Sequence, residues 1–352
     1  MGKLVELERG VSTALFFLLA CRQPPVQKTP LLTPFLRMAA GSCNNQESSQ
    51  KHWPYLSRLE PDYFVALGDN VYADLRVVDD NGVHYESSLG HVQAAYQKQL
   101  SHPEFQDFVS KVPTIPTWDD HDYGLNDAGA ELPFASESQK AFLDFWKVPL
   151  SDERRERSGI YMAQYLKVGS RDVQILVLDT RRFRSPLLAL ETPNQAPYGK
   201  DVDPLKTVLG TEQWEWVEEE LMATADLRIV VSSIQVLSEG HHFERWGTFP
   251  LERKRILDLL APLGPVILLS GDRHLGAIYH DPAYANIWEV TSSSLNFAFG
   301  DFPDVDPLRI GDDTSEENYA LIDIYEEKVV FSIELFTGST VSSGQIKLMP
   351  QD

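Results

Sequence analysis

Three short runs of the sequence place acidic residues, with histidine or tyrosine, directly after an apolar stretch. That arrangement is expected where a buried strand delivers reactive groups to its end. The first run is Phe64-Val-Ala-Leu-Gly68, followed by Asp69, by Tyr72 and finally by Asp74. Gly68 lets the backbone turn tightly. A hard carboxylate can bridge two cations, and a phenolate suits a hard ion such as Fe(III). Taken alone, Asp69 could equally cap a following helix, with Tyr72 packed in a core. The second run, Pro116 to Asp127, holds Asp119, Asp120, His121, Asp122 and Asp127. Without cations such a cluster repels itself, so metal binding or catalysis explains it better than a solvated loop. In the third, Val266-Ile-Leu-Leu-Ser-Gly271 leads into Asp272, Arg273 and His274. Alternation turns Asp272 and His274 to one side of an extended segment. One Asp-x-His is weak evidence; the same grammar met three times is not.

The elements that must position these groups alternate from Arg37 onward between short strands and helices. The patterns predict a buried strand over 62–67 and a helix over 92–110 interrupted near Pro103. The run 112–118 reads as extended, and its two prolines point to a sheet edge or a strand end. Helices follow over 136–146, 211–222 and 250–260, with strands at 159–168, 173–178, 227–232 and 265–270. The tail from Ala285 to Leu348 is strand-rich, with a hairpin across Glu326-Glu-Lys328. No linker or repeat divides this stretch, which reads as one α/β domain over 37–352. Trp214, Trp216 and Trp246 fit packing of helices on a sheet. His52, His84, His91, His102 and His280 show no ligand spacing.

With 352 residues the chain can bury one large core or two modest ones, and 24% charged residues is ordinary for a globular protein. A formal charge of −21 repels a polyanionic backbone, which argues against a nucleic-acid scaffold. Part of that acid is expected to be hidden at a metal site. At the N-terminus, Lys3 and Arg9 flank the apolar run Val11–Ala20, too short to span a bilayer and suited to a signal-peptide core. It ends in Leu18-Leu-Ala-Cys21, similar to a bacterial lipobox with Cys21 as the lipidated residue, and a Pro-rich tether follows. Residues 1–36 therefore read as leader and tether, which predicts a secreted, periplasmic or envelope location with the membrane reached only through Cys21. Glu6 and Glu8 are unusual in such a leader, and a buried amphipathic helix is the competing reading.

Together, Gly41-Ser-Cys43, Gly68-Asp-Asn-Val-Tyr72, Trp118-Asp-Asp-His-Asp122, Leu178-Asp-Thr-Arg-Arg-Phe-Arg184 and Gly271-Asp-Arg-His274 resemble the PhoD-like family of alkaline phosphatases, within the calcineurin-like metallophosphoesterase superfamily. The resemblance implies a four-layer αββα sandwich, two mixed sheets flanked by helices, with metals at the sheet ends. It implies two or more metals, Fe(III) with Ca(II) or another divalent ion. Position by position, Asp69 matches the bridging carboxylate, Tyr72 an iron-binding tyrosinate and Cys43 a thiolate ligand. Asp120 takes the place of a second-metal Asn, and Asp272 and His274 occupy the last metal motif, with Asp119 a further ligand or supporting residue. His121 matches the histidine that contacts phosphate and protonates the leaving group, while Arg181, Arg182 or Arg184 could clamp phosphate oxygens. The superfamily's middle histidine ligand has no clear counterpart among Gln235, His241 and His242. The implied reaction is metal-dependent hydrolysis of phosphate esters on a small molecule, lipid or polymer, by water activated between the cations. Phosphodiesterase or phospholipase-D-like activity is one alternative, and a catalytically silent metal- or phosphate-binding lipoprotein is another.

Overall fold

A computed structural model describes residues 33–79, 82–191, 197–299 and 305–349. The leader, Cys21 and the tether lie outside these residues. The body, Pro34 onward, is a compact unit. In chain order its elements begin with β1 (Leu36–Gly41), α1 (His52–Ser57), β2 (Tyr63–Leu67), β3 (Leu75–Asp79), β4 (Gly82–Glu86), α2 (Leu89–Leu100), α3 (Pro103–Lys111) and β5 (Thr114–Thr117). Next come α4 (Asp120–Tyr123), α5 (Ala135–Phe145), β6 (Met162–Val168), β7 (Arg171–Val177), α6 (Gly210–Glu220), β8 (Leu227–Val231), α7 (Pro250–Leu260) and β9 (Val266–Ser270). The chain closes with β10 (Gly276–His280), β11 (Ile287–Ser292), β12 (Arg309–Thr314), β13 (Asn318–Ile324), β14 (Lys328–Leu335) and β15 (Thr340–Lys347).

The strands form a six-stranded sheet ordered β15-β14-β13-β1-β2-β5 and a seven-stranded sheet ordered β12-β10-β11-β9-β8-β7-β6. Both are mixed, with parallel cores extended by antiparallel strands. Side-chain alternation explains the layering. In β1, Met38 and Ala40 face the other sheet while Ala39 faces the helices. In β8, Ile229 and Val231 point between the sheets and Val230 points to the opposite helical layer. Three apolar clusters result, one between the sheets and one under each helical face. The architecture is the expected αββα sandwich.

The apolar runs place β2, β8, β9 and α7 almost to the residue. Pro116 sits in β5, the edge strand of its sheet, where its missing N–H disturbs no ladder. Trp214 and Trp246 are buried under α6 and α7 with ring centroids 6.2 Å apart, a packing role. Among the described residues no helix is long and apolar enough to cross a membrane.

Candidate metal centre

The parallel strands β1, β2, β5 and β9 deliver, at or just past their C-terminal ends, Cys43, Asp69, Asp119–Asp120 and Asp272–His274. Holding side chains there distorts the backbone. Cys43, Asp69, Asp272 and His274 all have left-handed φ, at 59°, 46°, 69° and 51°. Each such residue costs roughly 1–3 kcal/mol and persists only where its surroundings impose it. Gly68, at φ 98°, has no alternative: a Cβ would come within 2.5 Å of the Asp119 Cβ.

Three ligand groups result, each with donor atoms within 4.8 Å of one another: Cys43–Asp69–His274, Asp69–Asp120–His121 and Asp119–Asp120–Asp272. Asp69 and Asp120 each belong to two groups, so the groups form a chain. Tyr72 joins the first, its hydroxyl donating to Asp69 Oδ2 at 3.1 Å and lying 3.4 Å from His274 Nε2. The Cys43 Sγ lies 3.5 Å from Asp69 Oδ2 and 3.1 Å from Ser293 Oγ. His274 Nδ1 is 2.7 Å from the Phe297 carbonyl, which can only accept, so Nδ1 carries the proton and Nε2 is left as a ligand.

Cations fit this donor set. Asp69 Oδ1, Asp119 Oδ2 and Asp120 Oδ1 are buried without any hydrogen-bond partner. Native interiors rarely leave such groups unsatisfied, and each belongs to one of the ligand groups. Burial, then the neighbouring Cys43 and Asp120, pushes the Asp69 carboxyl well above its usual range. Burial and Asp120 push Asp272 up to about 7. Burial pushes the Cys43 thiol up to about 11 and drives Tyr72 well above its ordinary value, helped by Asp69. Crowded acids that hold their protons in the absence of positive charge are what cation binding would relieve.

The ligand groups open into a cavity of about 490 Å³. His121 lines it, with Nδ1 2.6 Å from Asp74 Oδ1. Burial opposes its charge, but Asp120 and Asp74 outweigh that and raise its pKa to about 10. Asp127 also lines the cavity, and its backbone N–H holds Asp120 Oδ2 at 2.6 Å.

The residues named from sequence as ligands thus converge, together with His121. Arg181 and Arg184 do not take the clamping position expected of them. Both are fully buried and neither lines the cavity. Arg181 donates to Asp119 Oδ1 at 2.5 Å, and Glu244 accepts from Arg181 at 2.5 Å and pairs with Arg184 Nε at 2.6 Å. Their charge supports the acidic wall from behind. Arg182 points elsewhere, to Ser136 Oγ at 3.2 Å.

At the end of β8, where the middle histidine was sought, Ser233 Oγ donates to Asp119 Oδ1 at 2.7 Å. His241 is turned to Gln235 at 2.8 Å, and His242 is exposed. Asp122 of the acidic run proves structural, accepting from Asp119 N at 2.6 Å and from the Asn70 side chain at 2.5 Å. Asp74 and Asp127 were given no individual role, and Glu244 and Ser293 were missed. Asp74 and Asp127 close the two acidic runs and carried a visible signal; Glu244 and Ser293 carried none.

A family model described as PhoD-like phosphatase matches residues 38–320. The chain belongs to the PhoD-like phosphatase family. It is 24% identical over 302 residues to alkaline phosphatase D of Bacillus subtilis (strain 168), covering 71% of this chain. It spans about half the length of that relative, 48%. A solved structure of PhoD superposes with a TM-score of 0.69 at 16% identity, covering 88% of this chain and 72% of that one. GAP50, the anchor in the inner membrane complex of Plasmodium, superposes with a TM-score of 0.57 at 12% identity, covering 90% of both chains. At these identities the structural likenesses carry the fold alone.

Proposed function

We propose that the chain is a metal-dependent phosphoric ester hydrolase. The single observation that carries the reading is the set of orphaned carboxylate oxygens on Asp69, Asp119 and Asp120, chained through shared ligands and reaching an open cavity at Tyr72, Asp120, Asp272 and His274. Cys43, Tyr72 and His274 with Asp69 combine thiolate, phenolate and imidazole, a donor set suited to Fe(III), whereas Asp119, Asp120 and Asp272 are all-oxygen and suit Ca(II) or another hard divalent ion. Cations held there supply Lewis acidity toward phosphoryl oxygens and make water a better nucleophile near neutral pH.

The chain's own residues do the rest. His274 is fixed in one tautomer by the Phe297 carbonyl, and Asp119 is oriented by Arg181 and Ser233 through Oδ1, leaving Oδ2 without a hydrogen-bond partner. His121, hydrogen-bonded through Nδ1 to Asp74 and lining the cavity, would donate a proton to the departing ester oxygen. The environment we assign is the cell envelope, with the protein anchored through a lipidated Cys21. Detergent-phase partitioning that Cys21→Ser leaves unchanged would refute the anchor.

The test is hydrolysis of p-nitrophenyl phosphate against bis-p-nitrophenyl phosphate by protein loaded with iron and calcium, with Asp69→Asn as control. Monoester preference makes it a phosphatase, and diester preference a phosphodiesterase acting on lipid or polymer. No turnover above the control removes the enzyme reading.

A further inference from the structure

We propose that the cavity beside the ligand groups carries a leaving-group subsite for an aromatic ring, so that the esters it prefers are phosphates of aryl or heteroaryl-bearing alcohols. This rests on the hydrolase reading above. A phosphoryl group would fill only a small part of about 490 Å³, a volume in the range of sites for small organic ligands. The remaining space is walled by aromatic rings. Tyr85 lies 6.2 Å from His121, His121 4.4 Å from Tyr72, Tyr72 4.7 Å from Phe297 and Phe297 4.7 Å from Phe299, centroid to centroid. All five rings line the cavity, so the strip runs unbroken from the proposed proton donor to the rim.

At the rim, among the described residues, the rings are partly exposed. Phe299 is 50% exposed and Phe243, which lines the same cavity, is 41% exposed. Both rings line the same cavity, so their exposed faces are open to a ligand within it. Each already has one side engaged. Phe299 packs on His274 at 4.0 Å, and Phe243 lies 4.5 Å from the Arg273 guanidinium carbon. The free sides offer π faces and ring edges rather than a flexible aliphatic groove. Tilted and edge-to-face pairs, such as Tyr72 with Phe297 at 82° and Phe297 with Phe299 at 61°, accept a further ring in the same geometry.

The subsite is also tied to the chemistry. The carbonyl of Phe297 fixes His274, and Phe299 packs against the same imidazole. The opposite end is borne by the hairpin of β3 and β4, which stands apart from both large sheets and pairs Arg76 with Tyr85, both lining the cavity. Ring recognition and ligand placement therefore share residues, and an acyl chain gains little from such a wall.

Calorimetric titration of metal-loaded protein with inorganic phosphate, phenylphosphonate, cyclohexylphosphonate and octylphosphonate tests this without turnover. Phenylphosphonate is expected to bind about three- to ten-fold more tightly than cyclohexylphosphonate, the advantage ring pairing gives beyond apolar area. That ratio should collapse toward one in Phe299→Leu and Phe243→Leu, which keep apolar bulk and sit at exposed positions where folding is not at stake. Equal phenyl and cyclohexyl affinity, or tightest binding of octylphosphonate, overturns the aromatic subsite while phosphate binding upholds the hydrolase reading. Binding of none of the four removes both. Within the aromatic class, kcat/KM for a nucleoside monophosphate against phenyl phosphate tells a heteroaryl from a simple aryl source.

Discussion

The two ends of the ligand chain are built from opposite materials. The Cys43–Asp69–His274 end combines sulfur, oxygen and nitrogen, with a phenol beside it; the Asp119–Asp120–Asp272 end is oxygen alone. The supports differ too. Ser293 and the Phe297 carbonyl, both neutral, hold the first end, whereas Arg181, backed by Glu244, holds the second. A neutral frame around a thiol and an imidazole selects an ion by donor softness and geometry. A cationic frame around three carboxylates keeps acids together until a hard cation arrives. This difference in donor chemistry is what the proposed pairing of two unlike ions rests on.

The largest expected effect separates the ends directly. Cys43→Ser should remove iron and the violet absorption of a Tyr72-bound ferric ion, whereas Asp272→Asn should keep the colour and lose the divalent ion. Both should lower kcat by roughly 100-fold or more, beyond the 10–100-fold typical of outer residues. Metal analysis with visible spectra reads the result, and loss of both ions in both variants would break the distinction.

Proton inventory sharpens it further. Cys43 holds its proton up to about 11, so iron loading at pH 7 should release a proton there. Asp272 titrates near 7, so calcium affinity should climb with pH and flatten above about 7. The same shift fixes the sign for metal-free protein. Asp272 and Asp127, at about 7 and 8, lie above the unfolded value of about 3.9, so their contribution is complete below pH 4 and lost as pH rises to 8. Chelated protein should melt at a falling temperature across that window, and cations should reverse the trend.

Arg181→Gln should weaken calcium binding by about 10–100-fold while leaving the iron spectrum in place. Equal loss of both ions would mean the guanidinium holds the whole fold rather than one end. The smallest effect belongs to Asp74→Asn. With Asp74 neutral, His121 keeps its proton less well, so the alkaline limb of the rate profile should move to lower pH. An unmoved limb would assign the proton to another group.

What could be read from the sequence followed from chemistry that is local in the chain. Val266–Ser270 is buried on both faces and appears as an unbroken apolar run. Asp69 and Asp272 declare themselves by following a glycine at a strand end. Glu244 could not be found that way, because its partners are some 60 residues distant and nothing in its surroundings is unusual. Arg181 and Arg184 illustrate a second limit. Residue type states a charge but not which way it faces, and the carboxylates that turn these arginines inward are assembled only by folding. The β10 strand and the β3–β4 hairpin escaped for a third reason: Gly276–His280 is short and follows the acidic motif directly, and Leu75–Asp79 is largely exposed, without clear alternation.

The place of β1 has a consequence for how the molecule comes into being. It pairs with β2 on one side and with β13 on the other, so a strand near residue 40 gains its second neighbour only from residues near 320. Cys43 likewise reaches its Ser293 partner across 250 positions. A growing chain can therefore form neither the centre of this sheet nor a closed ligand set until most of its length is available. Such distant pairings make folding slow. On the proposed function, metal would then be taken up late, by a scaffold already folded.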